Sequence, residues 1–237
     1  MQTDALLDRF LADLAPLAPV AVWAHGSLAG GDYQEGRSDL DLIAVLDSLG
    51  PRTVWRLAKL HARLRAAPLS GQLHCTYLTP SADMDRRHLT WAHEELFRRP
   101  VSPVTRRELH AFGRVLHGAP PADLLAPVPD RELADFVVRD QRDFWRPAVD
   151  NAPLWSRDVW VDLGLLTFAR ASVTLREGRL ITKREALELL PRLGAPAQVV
   201  EDIRARRYGD PLTPVENRAE LTRGYLGPAI DELVAAY

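Results

Sequence analysis

"AHGSLAGGDYQEGRSDLDLIAVL", residues 24–46, places a glycine–serine pair after one apolar run and Asp39-Leu40-Asp41 at the head of another. In a strand, residues i and i+2 share a face, so Asp39 and Asp41 set two carboxylates side by side while Leu40 and Leu42 turn toward a core. Like charges that close repel unless something neutralises them. A divalent cation does so, and magnesium prefers carboxylate oxygens together with those of a polyphosphate. Gly26 and Ser27 follow the apolar residues 20–24 and suit a turn into a helix N-terminus, where backbone N–H groups and a small hydroxyl hold phosphate oxygens. Each element alone is common as a turn or a helix cap. Combined at this spacing, they describe a site for a metal–nucleoside triphosphate.

Outward from this stretch, the first half of the chain alternates strand and helix signals. Ala5, Leu6, Phe10, Leu11 and Leu14 recur at helical spacing before the strand at 20–24. A second strand at 40–46 precedes a helix at 53–66, and a third strand is expected at 73–78. Helices are expected at 84–98 and 104–117, giving an α/β or α+β class. The proline-rich "GAPPADLLAPVPD", residues 118–130, reads as a linker between an N-terminal domain, 1–120, and a C-terminal one, 131–237. The second half reads as an all-α helical bundle, with helices at 131–146, 158–177 and 196–208. Gly178 suits the left-handed position just past a helix end. Thr182 with Glu185 has capping-box spacing, and Thr213-Pro214-Val215-Glu216 repeats the device with proline at the first helical position.

Composition narrows the function. The 237 residues carry 32 acidic and 30 basic side chains, a near balance without the polybasic face that grips a nucleic acid. No apolar run approaches the roughly 20 residues of a membrane span. The single cysteine, Cys75, excludes an internal disulfide, and residues 1–14 read as an amphipathic helix, so a cytoplasmic protein is expected.

The pattern "HGS", eleven residues, "DLDLIAVL" resembles the signature of the polymerase-β-like nucleotidyltransferases. Among these the chain is most similar to the bacterial adenylyltransferases acting on streptomycin and spectinomycin, and "LLTFARASVTLREGRLITKREALELLP", residues 165–191, resembles their C-terminal helical domain. The resemblance implies a mixed-sheet nucleotidyltransferase fold with a helical domain. It also implies attack of a hydroxyl on the α-phosphorus of ATP, with Mg2+ on Asp39 and Asp41. Ser27, beside Gly26, would then hold the β- and γ-phosphates, and Lys183 would be the helical-domain lysine that reaches the triphosphate. The partners implied are a nucleoside triphosphate and a small hydroxylated acceptor such as an aminoglycoside antibiotic.

This family supplies a third acid from a neighbouring strand as general base. In "GQLHCTYLT", residues 71–79, that place is taken by His74. Three readings stay open. His74 is itself the base, since imidazole ordinarily titrates near neutral pH; or Asp83, Asp85, Glu94, Glu95 or Asp158 reaches the same point; or the chain binds nucleotide without efficient transfer. The last connects to a different class, a regulatory, antitoxin-like nucleotidyltransferase homologue that modifies or binds a protein. For a cationic acceptor, an aromatic floor and carboxylates are expected, and Trp91, Trp155 and Asp158 lie near positions where the family keeps substrate contacts.

Overall fold

The computed structural model describes residues 2–211 and 215–237 and divides into two units, Met1–Val128 and Pro129–Tyr237. In the N-terminal unit, α1 (Gln2–Leu14) precedes β1 (Ala21–Ala24), the short α2 (Gly26–Ala29) and β2 (Leu40–Val45). The chain continues through α3 (Pro51–Leu64), β3 (Leu73–Leu78), the hairpin β4 (Arg87–Ala92) and β5 (Glu95–Pro100), α4 (Pro103–Phe112), β6 (Arg114–Gly118) and α5 (Pro121–Leu124). The six strands form one sheet in the order β5-β4-β3-β2-β1-β6. Only β2 and β3 pair in parallel; the other neighbours are antiparallel, so the sheet is mixed.

Alternation along the central strands produces two apolar layers. Val22, Ala24, Leu40, Leu42, Cys75, Tyr77 and Trp91 face the layer that includes Leu6, Phe10 and Leu14 of α1 and Leu57, Leu60 and Leu64 of α3. Ala21, Trp23, Ile43, Val45 and Leu78 face the other, with Leu109 of α4 and Leu125. β2 and β3 are thus covered on both faces, which is why their sequences read as nearly continuous apolar runs. α3 starts on Pro51, whose missing N–H costs nothing at a first helical turn.

Three expectations are corrected. Residues 84–98 are not a helix but the β4–β5 hairpin, whose Cys75↔Trp91 and Thr76↔Thr90 pairing to β3 overrides local propensity. The helix expected to run to residue 117 stops at Phe112, and Arg114–Gly118 becomes the edge strand beside β1. The stretch 118–130 is not a free linker. Leu125 and Val128 are buried, the Trp23 indole donates to the Ala119 carbonyl at 2.7 Å, and Arg107 donates to the Val128 carbonyl at 2.7 Å.

The C-terminal unit is helical, as expected. It comprises α6 (Asp130–Asp140), a π-turn at Gln141–Trp145, α7 (Arg146–Asp150), α8 (Asp158–Glu177), α9 (Lys183–Leu189), α10 (Ala197–Tyr208) and α11 (Arg218–Ala235). α8 ends on Gly178 at φ +70°, and both halves of the Thr182–Glu185 capping box are present. The second expected start, at Thr213 and Pro214, lies outside the described residues. Among the described residues no helix is long and apolar enough to cross a membrane.

One buried polar group stands inside the first apolar layer. His61 stacks on Trp91 with ring centroids 4.2 Å apart and meets the Tyr77 hydroxyl at 2.6 Å, while its Nδ1 has no partner. Burial pushes its pKa down to about 3. Between the ordinary histidine value near 6.5 and about 3, the unfolded chain therefore takes up a proton that the folded chain refuses, and stability falls as pH falls. The full loss is about 5 kcal/mol. Urea unfolding at pH 7, 5.5 and 4.5 should show this decline. In His61→Phe it should be visibly flatter; an unchanged slope would assign the acid sensitivity elsewhere.

Candidate active site

Sheet register brings the candidate residues together. Asp41 is the second residue of β2, and its parallel pairing partner on β3 is His74, so the two side chains share a face. His74 Nδ1 lies 3.6 Å from Asp41 Oδ1, and its Nε2 lies 3.9 Å from Asp39 Oδ1. The imidazole is buried at the floor, 6% exposed, whereas the carboxylates open outward at 28% for Asp41 and 53% for Asp39. His74 Nε2 is buried without a hydrogen-bond partner. Such an atom is costly unless a bound group satisfies it.

On the other flank, the His25 N–H donates to the Asp41 carbonyl at 2.9 Å. The chain then turns at Gly26 with φ +60°, and a Cβ there would sit 2.7 Å from Asp41 Oδ2. Only glycine meets both demands. Ser27 follows in the first turn of α2. His25 Nδ1 faces Glu108 Oε2 of α4 at 3.3 Å, both buried. This pair went unread in the sequence; the available signal was a charged residue beside Leu109 on the buried side of a helix.

These residues suit a hard divalent cation. Glycine leaves the approach to Asp41 open, and two outward-facing carboxylates match an ion that shares its remaining positions with water and phosphate oxygens. Among the described residues no three His, Cys, Asp or Glu side chains already converge as a metal cluster.

Several of the alternative carboxylates have partners or surroundings of their own. Asp83 caps its own turn, accepting from the Asp85 N–H at 3.0 Å and pairing with Arg86. Glu94 and Glu95 line a shallow cavity with Ala58, Ala62 and Arg65, on the α3 side of the sheet. Trp91, expected as a substrate contact, is turned by its pairing with Cys75 to that same side, away from Asp41 and His74. Trp155, expected as a second such contact, is a core residue. It is fully buried in the C-terminal unit, its indole donating to the Ala148 carbonyl at 2.7 Å and its ring so close to Gly164 that a Cβ there would lie 2.7 Å away. Asp158, at the start of α8, is paired with Arg218 and, at 3.6 Å, with Arg206. Arg206 also binds Asp162 at 2.7 Å and Asp202 at 2.8 Å, so the charge of Asp158 is already matched within its unit. Lys183 is the first residue of α9, following the Thr182 cap.

Residues 6–115 match the sequence model of the nucleotidyltransferase domain, and the site just described falls inside that span. That match, over a little under half of the chain, supports an enzyme of the nucleotidyltransferase class, and the chain resembles the polymerase-β-like superfamily. Its fold is similar over 97% of its length to a crystal structure of spectinomycin adenyltransferase AAD(9) from Enterococcus faecialis, determined with ATP and spectinomycin. That match covers 98% of the other chain with a TM-score of 0.72 at 15% identity. A comparison with curated protein sequences returns no match.

Gly26→Ala should cost about 1–2 kcal/mol of stability from its left-handed backbone. It should also weaken Mg–ATP binding by calorimetry well beyond that, because the new methyl meets the Asp41 carboxylate. Unchanged affinity would mean that Asp41 need not hold its present position.

Proposed function

We propose that the chain transfers AMP from ATP to a hydroxyl of a small cationic acceptor of the aminoglycoside kind. Asp39 and Asp41 would hold Mg2+, which when bound neutralises charge on the phosphates. Gly26 and Ser27 lie where the triphosphate would meet backbone N–H groups and a hydroxyl. Lys183 is assigned to the triphosphate on the family resemblance, as the cation that opens α9. The acceptor oxygen attacks the α-phosphorus, the bond to the bridging oxygen breaks, and pyrophosphate leaves. His74 takes the hydroxyl proton.

The single observation carrying this reading is the register that sets His74 beside Asp41, with a buried, unpartnered nitrogen 3.9 Å from Asp39. A base must lie next to the centre where the charge is neutralised, and the position the family fills with an acid is filled here by the other side chain suited to proton abstraction. The aminoglycoside class rests on the likeness to an enzyme crystallised with spectinomycin. The alternative reading keeps the nucleotide site and either modifies a protein instead of a small molecule or binds nucleotide without efficient transfer.

Pyrophosphate release from ATP and magnesium across a panel including streptomycin and spectinomycin tests the proposal. Release should require one acceptor, fall about 10²–10⁴-fold in His74→Ala and be abolished in Asp41→Asn, while Lys183→Ala should chiefly raise KM for ATP. If ATP binds through Asp41 but no small acceptor supports release, transfer to a small molecule is refuted and the nucleotide-sensor or protein-partner reading takes its place.

A further inference from the structure

The β4–β5 hairpin closes through two residues, His93 and Glu94, between the paired Ala92 and Glu95. Both sit at positive φ, +52° and +63°. A two-residue turn of this kind follows the twist of its strands but requires left-handed backbone at both positions, for which Asn-Gly is the preferred pair. Histidine tolerates that conformation better than most residues and glutamate has no such excuse. A strained turn persists only where its surroundings over-determine it, and such strain gathers at functional sites.

Two contacts hold this one. Arg65, at the end of α3, donates to the Glu94 carbonyl at 2.8 Å. On the opposite side of the sheet the His93 ring meets the His74 ring edge-on, centroids 4.7 Å apart at 71°. Among the described residues His74 Nε2 has no hydrogen-bond partner, and its Nδ1 lies 3.6 Å from Asp41 Oδ1, beyond hydrogen-bond reach. With the two aspartates flanking its nitrogens, the His93 ring is the aromatic neighbour that restricts rotation of the imidazole about its side-chain bonds.

We infer that His93 is a positioning residue for His74: the turn keeps a left-handed backbone so that the His93 ring braces the proton-accepting imidazole against the two aspartates. This rests on the adenylyl-transfer reading for its kinetic consequence, though not for the brace itself. A residue retained for turn geometry alone would be improved by asparagine, which adopts the left-handed region readily and has no ring.

Two substitutions, each a step toward Asn-Gly, separate the roles. Glu94→Gly should raise Tm by about 2 °C and leave kcat unchanged, because Glu94 lines the cavity beside α3 and is held there through its carbonyl, which the substitution keeps. His93→Asn should match or exceed wild-type Tm yet lower kcat about tenfold, a part of what general-base catalysis supplies, with KM for ATP unchanged. Side-chain 15N spectra of the histidines give a readout without turnover. The His74 resonances should shift in His93→Asn and stay in place in Glu94→Gly. If His74 is unmoved in His93→Asn, the brace does not exist, whatever the kinetics. If wild type turns over no acceptor while His74 still shifts, the transfer reading fails and the brace stands.

Discussion

Everything at the candidate site hangs on one pairing, the parallel ladder between β2 and β3. Because side chains alternate, a slip of one residue in that ladder would put Cys75 beside Asp41 and turn His74 into the apolar layer. The register is held by burial on both faces: Leu40 and Leu42 fit one layer, Ile43 and Val45 the other, and all are essentially inaccessible to water. Each such side chain contributes about 1.5–3 kcal/mol on leaving water. The apolar residues therefore fix where the polar ones meet, and the two carboxylates and the imidazole are placed by forces to which they contribute nothing.

Parts of this were legible in the chain because local signals and tertiary context agree there. β1, β2 and β3 are short apolar runs bounded by turn residues. α8 ends on the glycine its sequence offers, and the Thr182–Glu185 box forms as its spacing predicts. The Asp-Leu-Asp reading needed only the two-residue period of a strand. Where the reading failed, distant partners outweighed local preference. Residues 84–98 hold enough helix-favouring residues to look helical, yet Leu89 and Trp91 find their burial across β3. Proline in 118–130 suggested a loose connection, but Leu125 and Val128 are core residues and two side chains clamp the backbone between them.

The site residues divide in the same way. That Asp39, Asp41 and His74 lie together was readable because strand alternation acts over two or three residues. The facing of Trp91 was not readable because it depends on being in a strand at all, nor the burial of Trp155 because a buried indole and an exposed one look alike in a sequence. The His25–Glu108 pair and His93 escaped notice because each needs elements far apart in the chain, 83 residues in the first case.

The pleat of β3 also keeps apart two groups that chemistry would not want together. Cys75 follows His74 directly, yet its sulfur points into the opposite layer, fully enclosed, and burial pushes its pKa up to about 12. A thiol is nucleophilic as its anion, so at physiological pH this one is inert. An enzyme that activates a phosphorus centre must deny it every wrong acceptor from its own chain. Here the sheet works as an insulator one backbone thick, with the imidazole and carboxylates on one side and a silenced sulfur on the other.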